Sequence, residues 1–444
     1  MAKLPPQVTA EIVALDSDGL GVAEVDGRAL RIRNALPGET VEARILRKRK
    51  GNLFADGVAI SNASEQRQPN ACCYFPRCGG CVLHHLAYTA QLELKQRQLT
   101  DALRAHDVEP GEWLPAQSAT RLGYRRKARF GVRMVDGRVL VGFRESFSNR
   151  VARIDGCVTL TKEISSLLTP LKALLEQTSI ADRIPQIEVA QGDQTCALLV
   201  RHLAPANETD LHLCREFERR FRVRIYLQSG GVDSLVALAQ GSIEPLGYQL
   251  QDWGLYLRFL PHQFTQVNLC MNRVLIRHAL AYLGDLRGKA VVDLFCGIGN
   301  FSLPLARAGA DVTGYEGDAG AVAMARDNAA LNGLSRQARF DFVDLYGVDD
   351  VPLVAMDHAD VLLLDPPRCG AGVHLDRWLE QFRGSQVVYV SCNPLSFAAD
   401  AARLIGAGYR LDRVGIFDMF PNTAHVETLG YFCREPGTGR RCDG

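Results

Sequence analysis

From about residue 270 the chain settles into one repeating unit: a short apolar run, a loop, then a helical segment. The runs "KAVVDLF", "ADVTGYE", "ARFDFVD", "ADVLLLD" and "QVVYVS" are separated by stretches such as "AGAVAMARDNAALNG". Continuous apolar runs alternating with helices predict a parallel, doubly wound α/β sheet with helices on both faces. In such a sheet ligands bind beyond the carboxyl ends of the strands, so the residues that end the runs are the ones to read.

Those ends are acidic. Asp293 opens "DLFCGIGNFSLPLA", a strand, a glycine-rich turn and a helix, in which Gly297 and Gly299 let the backbone come close to a ligand. The missing third glycine of GxGxxG counts against a dinucleotide pyrophosphate. Glu316 ends the next run, where a carboxylate can take two ribose hydroxyls. Asp344 ends the third, placed for an adenine edge, and Asp365 leads into "DPPRCG". One such residue is often helix capping. A series of four resembles the S-adenosylmethionine-dependent methyltransferases.

The fifth run ends at Cys392, followed by Asn393, a good N-cap, and Pro394, suited to the first helical position. A thiol just outside a helix N-terminus is expected to gain thiolate character. Beside a methyl donor, a thiolate has a specific use. Carbon 5 of a pyrimidine is a poor nucleophile, and addition of the thiolate at carbon 6 makes it an enolate carbon. The proton on carbon 5 must then leave, which requires a general base. "HVETLGYF" supplies His425 and Glu427 on one face of a strand, and chemistry alone leaves both open.

Taken together, "DLFCGIGNF", "DPPR", "SCNP" and "DMFPNTAHVET" resemble the RNA uracil-C5 methyltransferases over residues 262–432. The resemblance implies that Cys392 is the nucleophile and Glu427 the base. It also implies that Gln266, Phe295, Asn300, Glu316, Asp344 and Asp365 surround S-adenosyl-L-methionine, that Phe264 stacks on a base, and that His425 has a supporting role.

The first part of the chain reads differently. Residues 8–60 fall into short alternating runs broken by glycine and proline, the pattern of a small β-barrel. From Arg28 to Lys50 there are eight Lys/Arg (Arg28, Arg31, Arg33, Arg44, Arg47, Lys48, Arg49, Lys50) against Glu39 and Glu42, an edge suited to a phosphate backbone or simply solvated. Residues 87–106 read as a helix with Tyr88, Leu92, Leu99 and Leu103 on one face. In residues 121–160 arginines interleave with Tyr124, Phe130, Phe143 and Phe147, which suits unpaired bases or a plain sheet with a charged face. The barrel resembles the TRAM domain of the same methyltransferase group.

Thirteen cysteines without an export signal point to metal or catalytic thiols before disulfides. "CCYFPRCGGC" spaces Cys72, Cys78 and Cys81 as x5 and x2, with Cys73 offering x4 instead, and Cys157 adds a distant fourth thiol. Spacing alone leaves zinc open. Resemblance to the large-subunit rRNA branch of the family implies a [4Fe-4S] cluster on Cys72, Cys78, Cys81 and Cys157.

The expected organisation is a TRAM (OB-like) barrel at 1–62, a mixed α+β domain carrying the cluster at 63–261, and a Rossmann-like methyltransferase domain at 262–444, with helix 87–106 packed on the last. No apolar run approaches a membrane span, and the expected setting is cytoplasmic and monomeric. The expected substrate is a uracil of 23S rRNA in a loop or single strand, flipped from its stack. The alternatives are a tRNA uracil-C5 methyltransferase and a non-catalytic RNA-binding ribosome-assembly factor. A radical enzyme is disfavoured, because neither Cys72 nor Cys73 gives x3 before Cys78.

Overall fold

The structure is a computed structural model that describes residues 7–49, 51–238, 241–347 and 355–434; Lys50, the end of the basic run, lies outside them. Strands β1 (Gln7–Glu11), β2 (Ala14–Leu15), β3 (Gly21–Val25), β4 (Arg28–Arg33), β5 (Thr40–Arg49) and β6 (Asn52–Ser61) form one sheet in the order β1-β5-β6-β4-β3-β2. Alternate residues Leu30, Ile32, Val41, Ala43, Leu53 and Ala55 point inward and are fully buried. A bulge at Leu46 shifts the register, so that Arg47 rather than Leu46 faces Phe54.

Helix α1 (Tyr88–Arg104) and the short strand β7 (Glu112–Trp113) follow. The buried face of α1 is Ala90, Gln91, Leu94, Lys95, Leu99, Ala102 and Leu103. It is thus rotated from the expected leucine face, because two polar residues find buried partners far along the chain.

The central domain is a six-stranded sheet, order β13-β12-β11-β10-β8-β9. Its elements are β8 (Lys127–Val135), β9 (Arg138–Gly142), α2 (Lys162–Leu175), β10 (Gln186–Gln191), β11 (Cys196–Arg201), α3 (Glu208–Phe221), β12 (Val223–Gln228) and β13 (Leu235–Ala237). Both helices pack on one face, where Leu168, Leu171 and Phe217 meet Phe130, Ile187 and Val189. Tyr124 and Phe130 are 5% and 1% exposed, so the plain-sheet reading holds for these two aromatics. Phe143 and Phe147 lie in or beside clefts instead.

The hairpin β14 (Leu246–Leu250) and β15 (Leu255–Phe259) sends Leu250, Leu257 and Phe259 into the same core as Met271, Leu275 and Phe340. This core also takes in Ala190, Leu199 and Tyr226 of the central sheet, while α1 and β7 join the C-terminal α/β unit. Its further elements are α4 (Leu269–Leu283), β16 (Ala290–Leu294), α5 (Ser302–Arg307), β17 (Asp311–Glu316), α6 (Ala319–Leu331), β18 (Ala338–Phe342), β19 (Val361–Leu364), α7 (Val373–Gln381), β20 (Gln386–Ser391), α8 (Pro394–Gly406), β21 (Arg410–Phe417) and β22 (Glu427–Cys433). The sheet order is β18-β17-β16-β19-β20-β22-β21-β7. All five apolar runs are strands, and β16 to β20 pair in parallel. Every residue of β19 is buried, as a strand covered on both faces requires. β22 alone runs antiparallel to both its neighbours, so its first residue lies where the parallel strands end.

Candidate active site

The strand order reverses between β16 and β19, and the crevice of a doubly wound sheet opens there. Asp293 on β16 is fully buried; its Oδ2 accepts from Ser302 Oγ at 2.5 Å, and its Oδ1 has no partner. Burial raises its pKa to about 7. The following turn needs left-handed backbone at Phe295 (φ 64), Gly297 (φ 54) and Gly299 (φ 91). At Gly297 the space a Cβ would occupy is open within 4 Å. Glu316 faces this turn: Oε2 accepts from Gly297 N–H and Oε1 from Asp318 N–H, both at 3.0 Å.

The other expected cofactor residues are distributed around this crevice. Phe295 packs its ring 5.4 Å from Tyr346 and 5.8 Å from Trp378. Asp344 is exposed two residues beyond β18, and its Oδ1 accepts from Tyr346 N–H. Asn300 is already engaged: its amide exchanges hydrogen bonds with Asn272 at 2.8 and 2.9 Å and accepts from Tyr248 Oη. Gln266 is half-buried on the segment before α4, and Phe264 is 75% exposed beside it. An orphaned carboxylate oxygen, an open glycine turn and a row of acids form a set that fits a cationic cofactor bearing a ribose.

The chemistry converges on the next strands. Ser391 is the last residue of β20 to pair with β22, opposite Thr428, and Cys392 and Glu427 each lie one residue beyond that pair. Glu427 is 2% exposed. Burial, then the charge of Asp365, holds its carboxyl well above the ordinary range. Asp365 is itself raised to about 7 by burial and by Glu316. The surroundings of Cys392 oppose the expected thiolate character. Burial, with Glu427 and Asp365 behind it, pushes Cys392 up to about 11, and Arg368 offsets only part of this. The helix N-terminus is as expected: Asn393 Oδ1 caps α8 by accepting from Leu395 N–H at 3.2 Å.

Sequence reasoning missed the parts that hold this centre. Arg368 sits in the noted "DPPR", with Nη2 3.4 Å from His425 Nδ1. Its carbonyl accepts from Asn393 Nδ2 at 2.9 Å and Ser396 Oγ at 3.2 Å. Asp400 on α8 accepts from the N–H groups of Ala371 and Gly372 at 2.7 and 3.0 Å and from Tyr389 Oη. Cys392 opens into a cleft of about 1060 Å³ between all three domains, with Arg125, Phe143, Arg368, Leu395, Phe420 and His425 on its walls.

Cys81 lines the same cleft. The charge of Cys157 raises Cys72, Cys78 and Cys81, after burial, and Cys78 reaches about 11. The charge of the exposed Cys73 also reaches Cys72. Among the described residues, no three His, Cys, Asp or Glu side chains stand in position to hold a metal ion. No helix among them is long and apolar enough to cross a membrane.

Comparison with known proteins places this arrangement. Residues 87–435 match the family described as tRNA (Uracil-5-)-methyltransferase, and residues 7–58 match the TRAM domain. The chain is 43% identical to the 23S rRNA (uracil(1939)-C(5))-methyltransferase RlmD of Azoarcus sp. (strain BH72), covering 96% of this chain and 99% of that protein. It is 42% identical to the protein of the same description from Hahella chejuensis, over 97% and 98%. In fold it is similar to the Pyrococcus abyssi tRNA (uracil-54, C5)-methyltransferase, crystallised with S-adenosyl-L-homocysteine, with a TM-score of 0.75 at 24% identity over 96% and 99% of the two chains. The chain belongs to the RNA uracil-C5 methyltransferase family, in a form that carries an N-terminal TRAM domain.

Proposed function

We propose that the protein methylates carbon 5 of a uracil in 23S rRNA, with Cys392 as nucleophile and Glu427 as general base. The observation that carries this is that Cys392, the residue after β20, and Glu427, the first residue of the adjacent antiparallel strand β22, lie at the carboxyl edge of the sheet, where the charges of Glu427 and Asp365 reach the thiol. The substrate class follows from the full-length relatives named above. S-adenosyl-L-methionine, when bound, supplies the methyl group, and Glu316, Asp344, Asp365, Gln266, Phe295 and Asn300 are the residues proposed to surround it.

Cys392 loses its thiol proton and its Sγ bonds to carbon 6 of the uracil, which makes carbon 5 nucleophilic. Asp365, whose charge reaches the sulfur and whose carboxyl is raised to about 7, is the nearby group to take that proton, which leaves Glu427 free to act as base. Once carbon 5 carries the methyl group, Glu427 removes the remaining proton from it. The electron pair re-forms the carbon 5–carbon 6 double bond, and the sulfur leaves as thiolate. Cys392 opens into the cleft between the domains, which suits an unpaired, flipped base.

Cys72, Cys78, Cys81 and Cys157 match a [4Fe-4S] cluster in donor type, four thiols of which three feel the charge of the fourth, but among the described residues they do not stand in ligating positions. Their task in this reading is to shape the wall of the cleft that Cys81 lines. The protein acts as a monomer in this scheme, since one chain supplies every named group.

The test uses anaerobically purified protein, labelled S-adenosylmethionine, and separate unmodified pools of large-subunit rRNA, small-subunit rRNA and tRNA. Labelled 5-methyluridine in the large-subunit pool alone is the expected result. Label in tRNA overturns the substrate assignment and keeps the chemistry. Label in no pool overturns both.

A further inference from the structure

Strand register lays two rows of side chains across one face of the barrel. β5, β6 and β4 lie side by side. Arg44 pairs with Asp56, which pairs with Arg33; further along, Arg47 pairs with Phe54, which pairs with Arg31. The first row neutralises itself, because Asp56 contacts Arg33 and stands 3.7 Å from Arg44. The second has a ring where the first has an acid. Arg31 has a carboxylate in reach, Asp16 at 3.4 Å. Arg47 Nε is buried without a hydrogen-bond partner.

What Arg47 has instead is a clamp. Its guanidinium lies 5.2 Å from the ring centroid of Phe54 and 5.2 Å from that of Phe147. Phe147 comes from the central domain, in the loop after β9, and its ring sits 4.9 Å from Phe54. It is held at φ 57, a conformation a bulky residue adopts only when its surroundings impose it. Two domains thus cooperate to fix one arginine. A guanidinium stacked on rings keeps its N–H edge, which matches two oxygens of a phosphate. Its rotamer freedom is already restricted, so less entropy is lost when an anion binds.

The clamp faces a groove of about 370 Å³ lined by Arg31, Arg33, Arg47 and Arg49 against the single acid Asp18. Asp18 and Val82 line both this groove and the Cys392 cleft, so the two adjoin. A strand leaving the cleft on this side meets Arg47 next.

We propose that Arg47, held between Phe54 and Phe147, is a phosphodiester-binding site for the RNA strand that flanks the target base. This rests on the RNA reading of the cleft. It adds that the barrel alone does not form the site, because Phe147 of the central domain completes it.

The test is equilibrium filter binding of transcribed large-subunit rRNA across a salt series, without cofactor, so that methyl transfer does not enter. Arg47→Ala is expected to bind about tenfold more weakly, with a salt slope shallower by about 0.7 for one lost contact to a single strand. Arg47→Lys should restore the slope but not the affinity, because charge returns without the stacked fork. Phe147→Leu should weaken binding with the slope unchanged. Lys48→Ala, outside the groove, is the reference. Arg47→Ala matching Lys48→Ala in affinity and slope overturns the proposal even where methyluridine is formed. The Arg47 effect persisting while no methyluridine forms upholds the site and sinks the catalytic reading instead.

Discussion

Lys95 Nζ lies 2.5 Å from Asp418 Oδ1, with neither side chain exposed to solvent, although 322 residues separate them in the chain. The same ammonium reaches the Phe420 carbonyl at 3.1 Å, and Tyr88 Oη donates to Asp418 Oδ2 at 2.7 Å. One turn earlier on α1, Gln91 accepts from Asn422 N–H at 3.0 Å. Helix α1 therefore holds the segment that carries His425 and leads into Glu427.

Breaking that pair from one side strands a buried charge. Burial already pulls the Lys95 pKa down despite Asp418. Lys95→Met should destabilise the fold by about 3–5 kcal/mol, measured as a lower urea midpoint at unchanged slope. Lys95→Met with Asp418→Asn should recover much of the loss, since no unpaired ion remains. Equal losses in the single and double variants would show that Asp418 carries no dependent charge.

Glu427→Gln separates the two halves of the reaction. The amide cannot take the proton from carbon 5, so the sulfur cannot leave. The variant should accumulate RNA joined to Cys392, seen as a slow band on a denaturing gel that Cys392→Ala does not form. Free RNA with normal turnover would remove Glu427 from the base role.

The catalytic half was legible because its chemistry is local: each acid ends its own strand, and Cys392 carries its cap and its proline beside it. The supports were not. Lys95 and Gln91 look like solvent residues on an amphipathic helix, and Leu92 looks like core; only partners from residues 418–422 reverse that. Asn272 and Tyr248 give no sign in sequence that they hold Asn300. Thiolate character at Cys392 was misjudged for a related reason. The helix end is visible in the sequence, but burial and the opposing carboxylates come from other strands. The Arg47 row depended on a one-residue bulge, which periodicity alone does not locate.

Stability without cofactor should fall with rising pH. Burial raises Asp293 and Asp365 to about 7 from an ordinary value of 3.8. Between those values the folded chain binds more protons than the unfolded chain. Their contribution is fully present below the unfolded value and is lost as pH rises through about 7. Thermal unfolding at pH 5 and pH 8 should therefore show a larger drop for the parent than for Asp365→Asn. Identical drops would exclude Asp365 as a source of the pH dependence.

The loop that carries Asp365 and Arg368 is fixed from behind by α8, and its geometry gives the last prediction. Asp400 accepts from Ala371 and Gly372 N–H and from Tyr389 Oη, and it is 2% exposed. Gly370 lets the loop come this close, because a Cβ there would stand 2.6 Å from Asp400 Oδ2. Asp400→Ala takes the acceptor from Tyr389 Oη and Gly372 N–H, while Ala371 N–H keeps Tyr389 Oη at 3.2 Å; each donor left unpaired costs about 1–3 kcal/mol. The loss should be about 2 kcal/mol or more, read from urea unfolding. Asp400→Asn keeps an acceptor and should lose less. Asp400 lines neither the cleft nor the basic groove, so any change in RNA affinity comes through Arg368 on the cleft wall and should be small beside the loss of turnover. The turnover rate should fall toward the about 100-fold that a misplacement of about 1 Å brings, because Asp365 and Arg368 are no longer held against Cys392. A variant that unfolds more easily yet keeps full turnover at low temperature would confine Asp400 to stability and free the loop from α8.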